Sequence, residues 1–446
     1  MDNQTKKIPI LVVTYHFPPR GGVSVQRIVK FIKYLPNHGF QPIVLTVNKP
    51  LGSVSEDIEM MEEVPDDVRI FRSESFEPYH IYRALGGTKR QDDPSFRSEL
   101  VAKARKRGIA SKLYFEYQRR YLIPDPKIGW LRPALGAAKR IFEQYSPKAV
   151  ISTSPEATAH LIALKLHEIY DVPFVADFRD PWTSGHYSLD RPKKAHMKEM
   201  RMEDYVLHEA GAVTVVMQSL IKDFLKVHPG IEQSKFHVIP NGFDEADYKK
   251  IVPRKFEHFT LAHTGSVYHQ RSPVPLFKAL KEFLRLYPDA KNEIRMLFLG
   301  QVDPQYFRTA VEMGIADIII HERFASHSDS LSTQLGADVL VILSEGVMTA
   351  KVYEYLRASK PIIGFAPKGE LMGQIHEWGV GRIFESDDYL KASELIAQMY
   401  NSWKHKEPNL WNEYKKVDLR IYERSYQASQ LAEILRALMP FEKSSC

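Results

Sequence analysis

The chain has 446 residues, of which 44% are hydrophobic and 26% charged, and its formal net charge is +6. Single hydrophobic cores stop growing at roughly 250–300 residues, so this length predicts two domains. The only cysteine is Cys446, which excludes a disulfide framework and a cysteine-based metal site. No apolar run has the length of a spanning helix or follows a basic N-terminal segment, and we therefore expect a cytoplasmic protein.

Strands and helices alternate through the first half of the chain. Buried strands are predicted at 8–14, 42–47, 68–71, 149–153, 174–178, 212–216 and 236–239. Apolar residues at helical spacing from Val25 to Leu35 predict an amphipathic helix after the first strand. Ser154 and Pro155 predict another helix, with the serine as N-cap and the proline in the first turn. This alternation is typical of parallel βαβ units.

Basic residues concentrate in 79–142, where fifteen Lys and Arg accompany five Asp and Glu. Aromatic and aliphatic residues interleave with them, most clearly in 112–123. Two interpretations stay open for this helical insertion, which we place at about 76–145. It contacts an anionic membrane surface, or it is a solvated helical insertion.

The strand and helix pattern restarts in the second half. Strands are predicted at 259–263, 294–299, 338–343 and 361–366, with helices at 272–287, 304–313, 351–358 and 370–378. The polar segment 244–256 is predicted to be a linker and the tail 389–438 to be helical. Two such halves would face one cleft, and in parallel sheets ligands lie beyond the carboxyl ends of the strands.

Glycine-containing segments follow the first predicted strand and close the first half. Gly21 and Gly22 precede a predicted helix, so backbone amides there can approach an oxyanion or a sugar hydroxyl, although a plain turn explains them equally. Asn241 and Gly242 form a turn signal at the predicted hinge. The dinucleotide-binding fingerprint and the P-loop are both absent from the sequence, which weighs against a dehydrogenase or an NTPase.

Two carboxylates flank an arginine directly after the strand predicted at 174–178. Asp177, Arg179 and Asp180 could form a structural ion-pair network, orient an acceptor hydroxyl, or hold a metal. Metal binding is the least favoured of the three, because the guanidinium would compete with the cation. The position at a strand end favours a functional role.

Two segments of the second half suit a nucleoside diphosphate. A strand ends in Gly265, the next loop carries Arg271, and a helix is predicted to start at Ser272, so amides and a guanidinium converge. Lys351 and Glu354 are three residues apart on one face of a predicted helix. The lysine can neutralise phosphate and the glutamate can accept both hydroxyls of a ribose; a surface ion pair of little energetic value is the alternative.

The ordered set of segments resembles the retaining family-4 glycosyltransferases with the GT-B architecture, over nearly the whole chain. The likeness is closest to bacterial members that build cell-surface polysaccharides or glycolipids. It rests on 16–22, on 152–155, on 177–182 and on Lys351-x-x-Glu354-Tyr355. The resemblance implies an α/β fold of two Rossmann-like, doubly wound parallel-sheet domains facing a cleft, with C-terminal helices crossing back onto the first domain. It implies an acceptor-side domain at 1–243, a donor domain at 257–420 and a returning helix at 421–446.

The resemblance also implies site residues. The donor would contact Gly265, Ser266, Arg271, Phe324, His327, Lys351 and Glu354, with the nucleobase near 324–327. The transferred sugar or acceptor would lie near His16, Gly21, Gly22, Asp177, Arg179 and Asn241. Arg271, Lys351 and Asp180 would be catalytic. No metal and no cofactor are expected, since the departing diphosphate can act as the base when the acceptor attacks from the same face.

Two positions depart from the family pattern. The family's paired glutamates are separated by seven residues, but Gly346 stands at the place that pairs with Glu354, and Glu345 lies one residue too far away. Glu345 takes the role only if the loop is bulged. Arg179 stands where many relatives have a histidine near the sugar, so no general base is assigned there.

The expected function is transfer of a sugar, with retained anomeric configuration, from a UDP- or GDP-sugar to a saccharide or lipid-linked acceptor. The basic region 79–142 would bring the protein to the inner face of the membrane as a peripheral protein, and no nucleic-acid partner is expected. Two alternatives stay open: a GT-B-fold sugar-nucleotide epimerase and a non-catalytic sugar-nucleotide-binding protein.

Overall fold

The computed structural model describes residues 7–21, 23–48, 58–78, 109–180, 182–183, 190–268, 271–323, 326–407 and 417–439. The chain divides into two compact units. Unit 1 comprises the residues up to Pro240 together with those from Arg424 onward, and unit 2 is Asn241–Glu423. Among the described residues, no helix combines the length and the apolar character needed to cross a membrane.

Unit 1 is built on a parallel sheet of seven strands. They are β1 (Ile8–Thr14), β2 (Phe40–Val47), β3 (Arg69–Ser73), β4 (Val150–Thr153), β5 (Phe174–Phe178), β6 (Ala212–Val215) and β7 (Phe236–Val238). Their order across the sheet is β3-β2-β1-β4-β5-β6-β7. Leu11 at the centre of β1 pairs with Ile43 on one side and Val150 on the other. Strands buried on both faces explain why these segments are almost continuously apolar.

Eight helices of unit 1 lie within the described residues. They are α1 (Val23–Tyr34), α2 (Ile58–Glu62), α3 (Ile109–Tyr121), α4 (Leu131–Tyr145), α5 (Thr158–Tyr170), α6 (Lys193–Glu209), α7 (Gln218–Val227) and, at the C-terminus, α15 (Arg424–Leu438). Helix α15 packs against α1 and puts Ala428, Leu431 and Leu435 into the same apolar core as Val25 and Ile28. The C-terminal helix is therefore an integral part of unit 1.

Unit 2 contains a second parallel sheet, of six strands. They are β8 (Phe259–Thr264), β9 (Ile294–Leu299), β10 (Ile319–Glu322), β11 (Val339–Leu343), β12 (Ile362–Phe365) and β13 (Gly381–Phe384), in the order β10-β9-β8-β11-β12-β13. Its described helices are α8 (Glu245–Tyr248), α9 (Val274–Leu286), α10 (Gln305–Glu312), α11 (His327–Gly336), α12 (Ala350–Ala358), α13 (Glu370–Glu377) and α14 (Tyr389–Lys404). The two Rossmann-like sheets confirm the predicted fold class.

Four local predictions of the sequence differ from the structure. Ser154 does not cap a helix: α5 begins at Thr158, and the Ser154 hydroxyl instead accepts a hydrogen bond from the Arg179 amide at 2.9 Å. Helix α9 begins at Val274, two residues after the predicted start. The predicted linker 244–256 contains the short helix α8. Asn241 and Gly242 are not in an assigned turn.

The basic insertion is only partly described. Its residues 79–108 lie outside the described part of the chain. The described remainder contains α3 and α4, and α4 buries an apolar face that includes Ala134, Ala138 and Ile141.

Candidate functional site

The loop after β8 brings Gly265 and Lys351 into direct contact. Gly265 has φ +144°, and a Cβ placed on it would lie 2.6 Å from Cε and 3.4 Å from Nζ of Lys351. Real Cβ atoms do not approach that closely, so the lysine passes over Gly265 only because this residue has no side chain. Two of the predicted donor-site residues, one on the loop after β8 and one on helix α12, are thus brought together.

A second cation, Arg271, is close enough to Lys351 to affect its pKa. Burial lowers the pKa of the Lys351 ammonium, Glu354 opposes this effect, and Arg271 adds to it. Two cations that destabilise each other are better accommodated when an anion lies between them. A phosphate group is the anion that an arginine fork and a lysine ammonium recognise together.

Arg271 lies on the loop between β8 and α9. Its amide donates to the Tyr268 carbonyl at 2.7 Å, and its guanidinium carbon lies 5.0 Å from the centroid of the Tyr268 ring. Its Nε is 3.9 Å from Oε1 of Glu345 and is buried with no hydrogen-bond partner among the described residues. The aromatic ring thus supports the guanidinium while a donor atom is left for a ligand.

Glu345 reaches Arg271 although its sequence position departs from the family spacing. Gly346 has φ +96° and turns the chain directly after Glu345. The Ser344 hydroxyl fixes this turn, since it accepts from the Gly346 amide at 3.2 Å and donates to the Val347 carbonyl at 3.0 Å. The loop therefore brings the Glu345 carboxylate to the predicted phosphate-binding arginine.

A buried network fixes Glu354 on α12. The Gln334 side-chain amide donates to Oε2 of Glu354 at 2.9 Å and to the Thr264 hydroxyl at 3.1 Å. The Thr264 amide in turn donates to the Tyr355 hydroxyl at 3.0 Å. Gln334, Thr264 and Tyr355 were not predicted from the sequence to belong to the site. The last two adjoin predicted site residues, which is the one signal that the sequence offers for them.

His263 is a further residue that sequence reasoning did not select for the site. Its Nδ1 lies 2.8 Å from the Val341 carbonyl, which can only accept, so Nδ1 carries the proton and Nε2 is an acceptor. Burial lowers the pKa of His263 to about 3; the Val341 hydrogen bond opposes this, and Lys351 and Arg271 lower it further. A neutral imidazole with a buried acceptor nitrogen therefore lies close to the two cations.

The remaining donor-side predictions concern the first loop of unit 2 and α11. Ser266 follows Gly265 and is half-buried. Phe324 lies outside the described residues. His327 is the first residue of α11, which Ser326 caps, and its Nε2 is 3.4 Å from Oδ2 of Asp247.

In unit 1, the polar residues follow β1 and β4 at the carboxyl edge of the sheet. His16 is 6% exposed, and its Nε2 lies 3.2 Å from Oε1 of Glu156. Burial lowers the pKa of His16 to about 4, although its hydrogen bond to Glu156 opposes this. The neutral ring donates from Nε2 to the carboxylate, which leaves Nδ1 as an acceptor without a partner in the described structure.

Asp177 corrects a prediction, because its carboxylate is fully used inside the protein. Both of its oxygens accept from Arg27, and the hydroxyls of Thr153 and Thr214 donate to them at 2.8 and 2.6 Å. Burial acts to raise the pKa of Asp177, but Arg27 and the threonines outweigh it and hold the pKa below its usual range. With a residue exposure of 1%, this carboxylate is a structural ion-pair partner, and no oxygen is left to orient an acceptor.

The other predicted residues of the sugar side and Asp180 lie at several places in the chain. Arg179 and Asp180 follow β5 and are half-buried. Gly21 is buried before α1, whereas Gly22 lies outside the described residues. Asn241 is 7% exposed and is the first residue of unit 2.

A second network missed by the sequence analysis holds the chain after Asp180. Glu203 on α6 is 1% exposed and accepts hydrogen bonds from the amides of Trp182 and Thr183, both at 3.2 Å. His228 places Nε2 2.9 Å from the same carboxylate and Nδ1 3.0 Å from Asp204. Helix α6 therefore positions the segment that leaves β5.

Comparison with known proteins gives a family match and several structural likenesses. Residues 88–247 match the family model of Glycosyltransferase Family 4. No curated protein sequence matches the chain. The family match covers the second part of the unit 1 sheet, including the strand ends that carry Glu156 and Arg179.

Solved structures extend the likeness to nearly the whole chain. Sucrose-phosphate synthase from Thermosynechococcus elongatus is similar with a TM-score of 0.63 and 14% identity, over 97% of this chain and 99% of that one. WaaG, a glycosyltransferase involved in lipopolysaccharide biosynthesis, has a TM-score of 0.58 and 12% identity over 96% and 99%. A putative UDP-N-acetylglucosamine 2-epimerase from Listeria monocytogenes has a TM-score of 0.56 and 11% identity over 97% and 96%. These likenesses show the GT-B fold, and the family 4 match adds support for glycosyltransferase activity in general.

Proposed function

We propose that the protein transfers a sugar from a UDP- or GDP-sugar to a saccharide or lipid-linked acceptor, with retained anomeric configuration, in the synthesis of a cell-surface polysaccharide or glycolipid. The observation that carries this proposal is the convergence of Gly265, Arg271, Lys351 and Glu354 at the carboxyl ends of β8 and β11. That edge is where parallel sheets bind nucleotides.

The two cations would act on the leaving group. As the bond between the sugar and the diphosphate breaks, negative charge grows on the diphosphate, and fixed positive groups stabilise that charge more than they stabilise the ground state. Arg271 offers a planar donor fork supported by Tyr268, and Lys351 offers an ammonium held against the Gly265 backbone. The acceptor oxygen bonds the anomeric carbon on the face from which the diphosphate departs, and the diphosphate takes the acceptor's proton, so the anomeric configuration is kept.

Glu354 and Glu345 would have different roles in the donor site. Glu354, fixed by Gln334, would accept a hydrogen bond from a ribose hydroxyl. Glu345 is proposed to take the place of the family's first glutamate, because its carboxylate lies 3.9 Å from Nε of Arg271. We further propose that turnover needs no metal, since Arg271 and Lys351 supply the positive charge; turnover that EDTA abolishes would contradict this.

A thermal-shift titration tests the donor assignment. A ligand that binds only the folded state raises the melting temperature, so UDP, GDP, ADP and their sugar conjugates are compared on the wild type and on Lys351→Ala. We expect at least one nucleoside diphosphate to stabilise the wild type and not the variant. No stabilisation of the wild type by any of them would overturn the proposal.

The similarity to a putative epimerase structure gives the second candidate its support. An epimerase binds the same donor but changes the sugar without an acceptor. The exposed aromatic and basic face of α3 favours the transferase, because it suits an acceptor at a membrane. NMR of the donor sugar separates the two: an epimerised nucleotide sugar formed without acceptor would support the epimerase, and donor turnover that requires an acceptor would support the transferase.

A further inference from the structure

Helix α8 lies directly against the two helices of unit 2 that carry His327 and Glu354. Asp244 caps α8 and accepts from the Ala246 amide at 2.9 Å. Glu245 forms a two-pronged ion pair with Arg357 of α12, with distances of 2.6 and 2.5 Å. Asp247 lies 3.4 Å from His327 of α11. These contacts fix a short helix, which follows the start of unit 2, at the predicted nucleoside end of the donor site.

The side chain of Tyr248, the last residue of α8, is held by contacts on two sides. The guanidinium carbon of Arg357 lies 4.6 Å from the ring centroid, and Phe243 meets the ring edge-on at 6.2 Å. Arg357 is on α12, one turn beyond Glu354, and the tyrosine is 8% exposed. The ring therefore packs against the helix that carries Glu354.

The hydroxyl of Tyr248 is buried and has no hydrogen-bond partner in the described parts of the chain. Burial raises the pKa of Tyr248 above its ordinary value, and Glu354 is the nearby charge that raises it most. The hydroxyl is therefore protonated and can both donate and accept. A buried hydroxyl without a partner costs free energy in the empty protein, and a bound ligand with a hydroxyl of its own would remove that cost.

We propose that Tyr248 is a specificity-determining residue of the donor site, whose hydroxyl bonds one hydroxyl of the ribose diol beside Glu354. This inference rests on the proposed function, because it needs a nucleoside diphosphate as the ligand. A vicinal diol presents two hydroxyls at adjacent carbons. Glu354 accepts a hydrogen bond from one of them, and the Tyr248 hydroxyl forms a hydrogen bond with the other. A ribose that lacks the hydroxyl bonded by Tyr248 therefore leaves the tyrosine hydroxyl without a partner.

Calorimetric titration of Tyr248→Phe tests the inference. The probes are UDP or GDP, whichever binds the wild type more tightly, and its 2′-deoxy and 3′-deoxy counterparts. We expect Tyr248→Phe to bind the ribonucleotide about 3- to 10-fold more weakly, as for one net hydrogen bond. For one of the two deoxy nucleotides we expect Tyr248→Phe and the wild type to have equal affinity, because that nucleotide lacks the hydroxyl that Tyr248 bonds. The melting temperature of the empty variant should equal or exceed that of the wild type, because an unpartnered buried hydroxyl has been removed.

Tyr400→Phe is the matched control. Tyr400 is a buried tyrosine of the same unit whose hydroxyl bonds Glu293, the residue immediately before β9, at the opposite edge of the sheet. Its replacement should lower the melting temperature and leave nucleotide affinity unchanged. Equal affinities of wild type and Tyr248→Phe for all three nucleotides would overturn the role of Tyr248 while the proposed function stands. A wild type that binds no nucleoside diphosphate would overturn both.

Discussion

Lys351 crosses Gly265 so closely that a single methyl group on the glycine would lie 2.6 Å from Cε of the lysine. Gly265→Ala must therefore displace the ammonium, and the backbone at φ +144° also strains any residue with a side chain. Because a catalytic group misplaced by about 1 Å costs roughly 100-fold in rate, we expect kcat/KM for transfer to fall about 100-fold. Steady-state kinetics with a nucleotide-sugar donor measure this.

Gly373→Ala is the control for a glycine replacement in the same unit. Gly373 lies inside α13, and a Cβ added there would meet nothing within 4 Å. Alanine in a helix interior is more favourable than glycine by about 0.5–1 kcal/mol, so this variant should be slightly more stable and fully active. If Gly265→Ala matched Gly373→Ala in kcat/KM, the close approach of Lys351 would have no catalytic meaning.

Removal of either cation should abolish turnover while the fold is kept. Arg271→Ala and Lys351→Ala each remove a fixed positive group from the growing charge of the leaving diphosphate, for which we expect a loss of at least about 10²–10³-fold in kcat. Burial lowers the pKa of Lys351, so its replacement relieves a cost, and the melting temperature should not fall. Lys281→Ala, at an exposed lysine of α9, is the control for charge alone. Wild-type turnover in either site variant would refute the donor-site assignment.

The sequence reveals the central strands of both sheets, and it misses the two outer strands of the second sheet. β10 and β13 are the outer strands of the second sheet, and both are only four residues long. β10 is half exposed and includes His321 and Glu322, so it lacks the apolar run that marks a central strand. Edge strands form because a neighbour offers hydrogen bonds, which is not a property of the local sequence.

The site shows the same limit at the level of single residues. Gly265, Arg271, Lys351 and Glu354 were predicted because each follows a strand or lies on one helix face. Gln334 was not predicted, because its contacts with Thr264 and Glu354 span 70 and 20 positions in the sequence and depend on how α11 packs. Asp177 was misread for the same reason: Arg27, which neutralises it, is 150 positions away.

His228 gives unit 1 a pH dependence of stability with a definite sign. Burial acts to lower its pKa, but the hydrogen bonds and charges of Glu203 and Asp204 outweigh burial, and the pKa is raised above the ordinary 6.5. A raised histidine pKa stabilises the folded state below the unfolded pKa, and this contribution is lost as pH rises through the folded pKa. His228→Gln should therefore cost about 1–3 kcal/mol at pH 6 and less at pH 9.

Chemical denaturation at several pH values measures this difference. The relevant quantity is the free energy of unfolding of the wild type minus that of His228→Gln, because the subtraction removes the contributions of His16 and the other buried histidines. We expect it to fall steadily from pH 6 to pH 9. A constant difference would show an unshifted pKa, and a difference that grows with pH would show a lowered pKa; either result would contradict the raised pKa of His228.

Helix α3 presents an exposed stripe suited to a membrane surface. Leu113, Tyr117 and Tyr121 recur every four residues on one face and are 67%, 43% and 67% exposed. Lys112 and Arg120 lie beside them and are exposed. We expect the wild type to sediment with vesicles that contain phosphatidylglycerol, and the triple variant Leu113→Ser, Tyr117→Ser, Tyr121→Ser to stay largely in the supernatant. Val311→Ser, which removes a 66% exposed valine from unit 2, should not change sedimentation.

Salt separates the two contributions to this binding. The basic side chains attract anionic lipids through a potential that decays over about 10 Å at 0.1 M salt and about 3 Å at 1 M, whereas burial of the aromatic stripe is not screened. Binding of the wild type should therefore weaken but not vanish at high salt, and binding of the triple variant should vanish there. Absence of wild-type sedimentation at both salt concentrations would leave α3 as a solvated helix, and the acceptor would then have to come to the enzyme from solution.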